Sequence, residues 1–166
     1  MTRRPPAAAL CALALLLPAC GGGSSGGGPV VTGQRMSQGE LAWAVQVLDL
    51  VNQERANAGL PALGWDDPAA QVAYDHGVDM DTRNFFAHQN PDGQEPWDRL
   101  TAAGIGWSAV GENIARGQPD PVSVMTAWMG SPGHRANILS AAFTRLGVGV
   151  HDAPGGPWWT QLFYTP

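Results

Sequence analysis

Three ionisable residues in turn-rich surroundings could do chemistry in this chain. They are His88 in Phe85-Phe86-Ala87-His88, Glu112 in Gly111-Glu112-Asn113-Ile114, and His134 in Ser131-Pro132-Gly133-His134-Arg135. Two imidazoles and one carboxylate suffice to hold Zn2+ or another divalent metal, or to take up and return a proton, once a fold gathers them. No two of the three lie within one helical turn, so tertiary structure must assemble them; no single helix presents them, as it would in H-E-x-x-H. Ser131 adds a hydroxyl three residues before His134 and with it a Ser/His/Glu triad. No nucleophile elbow surrounds it, however, and a helix cap explains it equally well.

Local sequence sets how each residue is presented. Val110, Glu112 and Ile114 alternate with Gly111, Asn113 and Ala115, a strand pattern that points the carboxylate the same way as two aliphatic side chains. A carboxylate so placed is costly unless it is paired, hydrogen-bonded or metal-bound; Arg135 or backbone amides could hold it structurally. His88 precedes the turn Asn90-Pro91-Asp92-Gly93, from which a loop imidazole can reach a cleft. His134 lies near the start of a helix predicted after Ser131-Pro132, where the positive end of the helix dipole favours the neutral ring. His76 falls on the apolar stripe of another predicted helix, either as a core-edge histidine with one hydrogen bond or as a contact behind a pocket.

The elements that must position these residues follow from periodicity. Order is expected from about Gln38. Leu41, Ala44, Val45, Leu48 and Val51 recur at helical spacing up to Asn57-Ala58-Gly59. A second helix, with Asp67 as cap and Pro68 as its first residue, runs through Ala69, Val72, Ala73, His76 and Met80. A short helix fits Pro96 to Ala103 before Gly104, and Asp120-Pro121 opens a third long helix to about Met129. Leu146, Val148 and Val150 alternate with Gly147 and Gly149, and Trp158 to Tyr164 is β-prone, so the two segments form an antiparallel hairpin. The glycines leave bare backbone that Trp159 or Phe163 could cover. Helices with a small antiparallel sheet give an α+β layered domain.

The 166 residues suit one domain, placed at 38–166. Residues 1–19 read as a signal peptide: Arg3 and Arg4, then an apolar run from Ala7 to Leu17 that is too short to span a bilayer. Leu17-Pro18-Ala19-Cys20 resembles the lipobox of bacterial lipoproteins, which implies cleavage before Cys20 and acylation of its sulfur; the alternative is simple secretion. Residues 20–37, rich in Gly and Ser, form a tether. Cys11 and Cys20 are the only cysteines, so the domain has none for an internal disulfide. Nine arginines and no lysine against fourteen acidic residues give a net charge of -5 without a basic run, which argues against nucleic acid as a partner.

His88 with Asn90-Pro91-Asp92-Gly93, Gly111-Glu112-Asn113-Ile114-Ala115, Trp128, Ser131-Pro132-Gly133-His134-Arg135-Ala136-Asn137-Ile138-Leu139, Gly147-Val148-Gly149-Val150 and Trp159-Thr160-Gln161 together resemble the CAP superfamily in its bacterial SCP-like form. The resemblance implies an α-β-α sandwich with a central antiparallel sheet and a surface cleft holding two His and two acidic residues. His88, Glu112 and His134 match three of the four, and Ser131 stands at the fourth position. The residues and the resemblance together leave two functional readings. One is a membrane-tethered binding module for a small amphipathic molecule, peptide or envelope glycan. The other is a metal-assisted hydrolase with His88 and His134 as ligands and Glu112 as third ligand or general base.

Overall fold

The computed structural model describes residues 33–166; the predicted signal peptide, Cys20 and most of the predicted tether lie outside them. Nine elements follow in order: α1 (Gln38–Asn57), β1 (Gly64–Trp65), α2 (Asp67–Thr82), α3 (Pro96–Ala102), β2 (Ala109–Arg116), α4 (Pro121–Gly130), α5 (Pro132–Ile138), β3 (Arg145–Ala153) and β4 (Gly156–Thr165). The strands form one sheet in the order β1-β3-β4-β2. β4 pairs antiparallel with both β3 and β2. The sheet is not wholly antiparallel as expected: Gly64 and Trp65, a two-residue piece too short to show strand alternation in the sequence, pair parallel to Arg145 and Leu146 at its edge.

The starts of the three long helices are fixed by side-chain caps. Ser37 and Glu40 form a reciprocal capping box at α1. At α2 the cap is Asp66, not Asp67; its side chain accepts from the Ala69 N–H, and Pro68 falls within the first turn. Asp120 caps α4 as its sequence indicates. The buried stripe of α1 is Ala44, Val47, Val51 and Arg55, whereas Leu41 and Val45 are exposed. The apolar spacing therefore found the helix but misplaced its inner face. Arg55 explains part of the difference, since its guanidinium donates to the carbonyls of Pro61, Ile138 and Ser140 and ties α1 to the end of α5.

Two layers of helix enclose the sheet. On one face Leu146, Val148 and Val150 of β3 and Trp159 and Phe163 of β4 join Val47, Val51, Val124 and Trp128 in the main apolar core. On the other face α2 lies directly on β3. A Cβ at Gly147 would overlap the Ala69–Ala70 backbone, and one at Gly149 would overlap the Ala73–Tyr74 backbone. The glycines do serve packing, but helix backbone covers them, not the rings of Trp159 or Phe163, which point to the opposite face. Close approach of α2 requires this, because a side chain at either position would lift the helix.

Candidate functional site

β2 is an edge strand, so residues on it can be buried by the sheet and still reach a surface cleft. Glu112 lies on the α2-facing side with Val110 and Ile114, as its alternation predicts, and is itself buried. Its Oε1 is 2.9 Å from His88 Nδ1 and its Oε2 accepts from Arg99 Nη2 at 2.7 Å. The carboxylate is thus held by Arg99, not by Arg135. Arg99 also donates through Nη1 to the carbonyls of His88 and Gln94, so one guanidinium fastens the His88 loop, the start of α3 and the edge strand together. Asn90 stiffens the same loop, its Oδ1 accepting from the N–H groups of Asp92 and Gln94.

Burial pushes the Glu112 carboxyl upward, but the His88 hydrogen bond and the Arg99 charge outweigh it and hold the group below the ordinary glutamate range. The hydrogen bond to Glu112 raises His88 above an ordinary histidine. His76 behaves oppositely: burial pulls it down to about 4, although Glu112 Oε1 is 3.9 Å from its Nε2. At neutral pH this contact is therefore not an ion pair. Nε2 lies 3.1 Å from the Ala87 carbonyl, which can only accept, so the ring proton sits on Nε2. Both sequence readings of His76 hold in part: it is a buried core residue, and it touches the carboxylate of the site.

His134 is placed by α5 through backbone contacts. Its carbonyl accepts from Asn113 Nδ2 at 3.1 Å, and one turn later Asn137 Nδ2 donates to the Glu112 carbonyl and to Asn113 Oδ1. Burial lowers the His134 ring, with a smaller contribution from the nearby charge of His88. That ring stays neutral for these reasons; α5 is only seven residues long and Ser131 makes no side-chain cap on it. Among the described residues no hydrogen bond joins His134 to Glu112 or His88. The three predicted residues thus form a direct His88–Glu112 pair with His134 within reach of its field.

A cleft of about 260 Å³ opens here, lined by His88, by Glu95, Pro96 and Trp97 at the start of α3, and by β2 from Val110 to Glu112. His88 is 49% exposed and Trp97 43%, so an imidazole and an indole face are both offered to solvent. With Nδ1 engaged by Glu112, His88 Nε2 is the nitrogen left for a ligand. The donor set fits a divalent cation poorly. Both Glu112 oxygens are taken, a guanidinium stands beside one of them, and among the described residues no group of three His, Cys, Asp or Glu is arranged to hold a metal ion. Among the cleft-lining side chains that leaves His88 Nε2 and the Glu95 carboxylate, one ligand short of the usual catalytic zinc set.

Sequence reasoning missed Arg99. The signal was there: Pro96, Arg99 and Leu100 share the buried face of α3 at helical spacing, and a cation on such a face calls for a carboxylate partner.

The chain and its fold have counterparts. The chain is 42% identical over 122 residues to the uncharacterized protein YkwD of Bacillus subtilis (strain 168), a match covering 74% of this chain and 47% of that protein. It is 40% identical over 105 residues to the uncharacterized membrane protein YlbC of the same organism, over 63% of this chain and 30% of the relative. The chain thus spans less than half the length of these relatives. Its fold is similar to an extracellular protein containing a SCP domain from Bacillus anthracis str. Ames, with a TM-score of 0.73 and 36% identity over 80% of this chain and 45% of that one. An outer surface protein of Borrelia burgdorferi shares the fold at a TM-score of 0.70 and 18% identity, over 77% and 93% of the two chains. Residues 48–163 match the model of the cysteine-rich secretory protein family. With helices on both faces of a small sheet and the His88–Glu112 pair at its edge, the chain belongs to the CAP family.

Proposed function

We propose that this CAP domain is an extracytoplasmic binding module, tethered to a bacterial membrane through acylated Cys20, whose edge-strand cleft takes a fragment of envelope glycan. The observation that carries the reading is the pairing of a fixed imidazole with an exposed indole in one cleft: His88, held by Glu112 at 2.9 Å, and Trp97. An indole face offers flat apolar area to a sugar ring, while His88 Nε2 and Glu95 offer hydrogen bonds to hydroxyls. The extracellular Bacillus anthracis neighbour and the membrane-protein relative support an envelope location. No helix among the described residues is long and apolar enough to cross a membrane, so attachment would come from outside the domain.

The His88–Glu112 pair also favours a second reading, proton transfer in a hydrolytic reaction. A carboxylate on Nδ1 orients the ring and strengthens Nε2 as a base. Arg99 weakens this, because it neutralises the carboxylate that would otherwise stabilise the imidazolium. Binding is therefore the function the geometry supports better. Titration of the full chain with lysozyme-released peptidoglycan fragments should quench tryptophan fluorescence and shift the His88 ring resonances, with both effects lost in Trp97→Ala. Absence of either effect in the wild type would refute the glycan reading, and release of cleaved fragments during the titration would favour hydrolysis. Mass spectrometry of the mature protein tests the anchor: a diacylglycerol-modified Cys20 supports it, and a mature N-terminus elsewhere removes it.

A further inference from the structure

The larger cavity is not the cleft. A space of about 570 Å³, within the range of small-molecule pockets, lies between α2 and α3. Pro68 and Val72 of α2, with Ala102 and Ala103 at the end of α3, give it an aliphatic surface. Its three aspartates are each engaged: Asp67 accepts from Trp65 Nε1, Asp75 accepts from Gln71 Nε2, and Asp79 is paired with Arg83. Side-chain amides of Gln71 and Gln94 stand beside the apolar walls. Apolar surface flanked by amides suits a peptide, whose backbone needs hydrogen-bond partners wherever its side chains are buried.

The chain itself arrives at this cavity. Gln71 Nε2 donates to the Gln34 carbonyl at 2.8 Å, and Arg35 is among the lining residues. The described residues begin one position before Gln34, at Gly33. From Gly21 to Gly33 the sequence holds only Gly and Ser apart from Pro29-Val30-Val31-Thr32. Val31 precedes Gln34 by three residues and Pro29 by five, so an extended chain can carry them roughly 10 and 17 Å from that hydrogen bond. This is enough to reach across a space of 570 Å³. Pro and Val restrict the backbone, so ordering them costs less conformational entropy than ordering the glycines around them. Residues 21–33 carry no ionisable side chain and bring no charge conflict with Asp67 or Asp75.

We propose that Pro29-Val30-Val31 docks in this cavity, so that the end of the predicted tether is an intramolecular ligand of the domain that follows it. The two valines take the apolar walls of Val72, Ala102 and Ala103, and any other occupant must first displace them. The inference depends neither on what the cleft binds nor on acylation of Cys20. Competition in the full chain tests it. A free Gly-Pro-Val-Val-Thr peptide, blocked at both ends, should bind the Val30→Asp plus Val31→Asp chain, whose added carboxylates are repelled by Asp67 and Asp75. It should bind the wild type at least about tenfold more weakly, because a short covalent link holds the native segment at a millimolar effective concentration. Ser24→Asp with Ser25→Asp adds the same charge outside the docked stretch and should leave the peptide excluded. All four positions precede α1, so the variants keep the domain's own sequence intact. In methyl-labelled wild type, nuclear Overhauser contacts should join Val30 and Val31 to Val72 and Ala103 and persist on dilution. Absence of these contacts, or equal peptide binding by wild type and the Val30→Asp plus Val31→Asp chain, would overturn the proposal. Contacts found only between a labelled and an unlabelled chain would also overturn it, by giving the cavity to a second copy.

Discussion

Toward α1, α4 and α5 the strands present Leu146, Val148, Val150, Trp159 and Phe163, a face built of large side chains. Toward α2 the same strand β3 presents Gly147 and Gly149, and the helix answers with the backbone of Ala69–Ala70 and Ala73–Tyr74. The first face gains its stability from apolar volume removed from water. The second gains position: with nothing between helix and sheet, α2 sits close enough for His76 to reach the carboxylate on β2. Its buried polar residues are therefore tolerated because their partners are fixed, and the difference suggests where each kind of substitution will hurt.

The comparison breaks hardest at Glu112. Glu112→Ala strands Arg99 as an uncompensated buried charge and should cost about 3–5 kcal/mol in urea unfolding. Replacing both partners together, Glu112→Leu with Arg99→Leu, should recover most of that loss. If the single variant costs no more than a surface substitution, the buried pair does not organise this face. Gly149→Ala comes next. One methyl forced against the α2 backbone should cost about 3 kcal/mol, whereas Leu146→Met on the opposite face, a volume-conserving change, should stay under about 1.5 kcal/mol. Equal effects would remove the distinction between the two faces.

Acid sharpens the contrast further. In the unfolded chain His76 takes a proton near 6.5, but in the folded protein only near 4. Between those values the unfolded state binds more protons, so stability falls as pH drops through that window, by about 3 kcal/mol at most. His76→Gln keeps a donor for Ala87 and does not titrate; its stability should be flatter between pH 6.5 and 4, and an unchanged slope would acquit His76. His88 acts with the opposite sign. Its raised value contributes stability that is complete below 6.5 and lost as pH rises through the folded value. The smallest effect is spectroscopic: His88 should titrate above His134, and Glu112→Gln should bring the two closer together. Coincident titrations in the wild type would show that Glu112 does not hold the His88 ring.

Elements defined by local signals could be read from the sequence: the Asp120-Pro121 start of α4, the strand alternation around Glu112, and the β3–β4 hairpin. The inner face of α1 could not, because Leu41 and Val45 are apolar yet exposed, and an apolar residue carries no instruction to be buried. Nor could the cover over Gly147 and Gly149, which comes from α2 more than seventy residues earlier. Glu112 declared itself by being charged in an aliphatic strand. Arg99 was hidden in a seven-residue helix too short for its stripe to stand out, although it is the residue that joins loop, helix and strand.

The position of β4 has a consequence for how the protein is made. Among the described residues β2 pairs only with β4, which separates it from β3, and β4 follows all the other described elements. Every residue of the His88–Glu112–Arg99 cluster leaves the ribosome before the strand that holds Glu112 in place. Glu112 and Arg99 would meet at full strength only once Trp158 to Thr165 has threaded between its neighbours, a long-range pairing of the slow kind. A nascent chain thus carries the site residues without the site, and the His88–Glu112 pair would form only at a late step of folding.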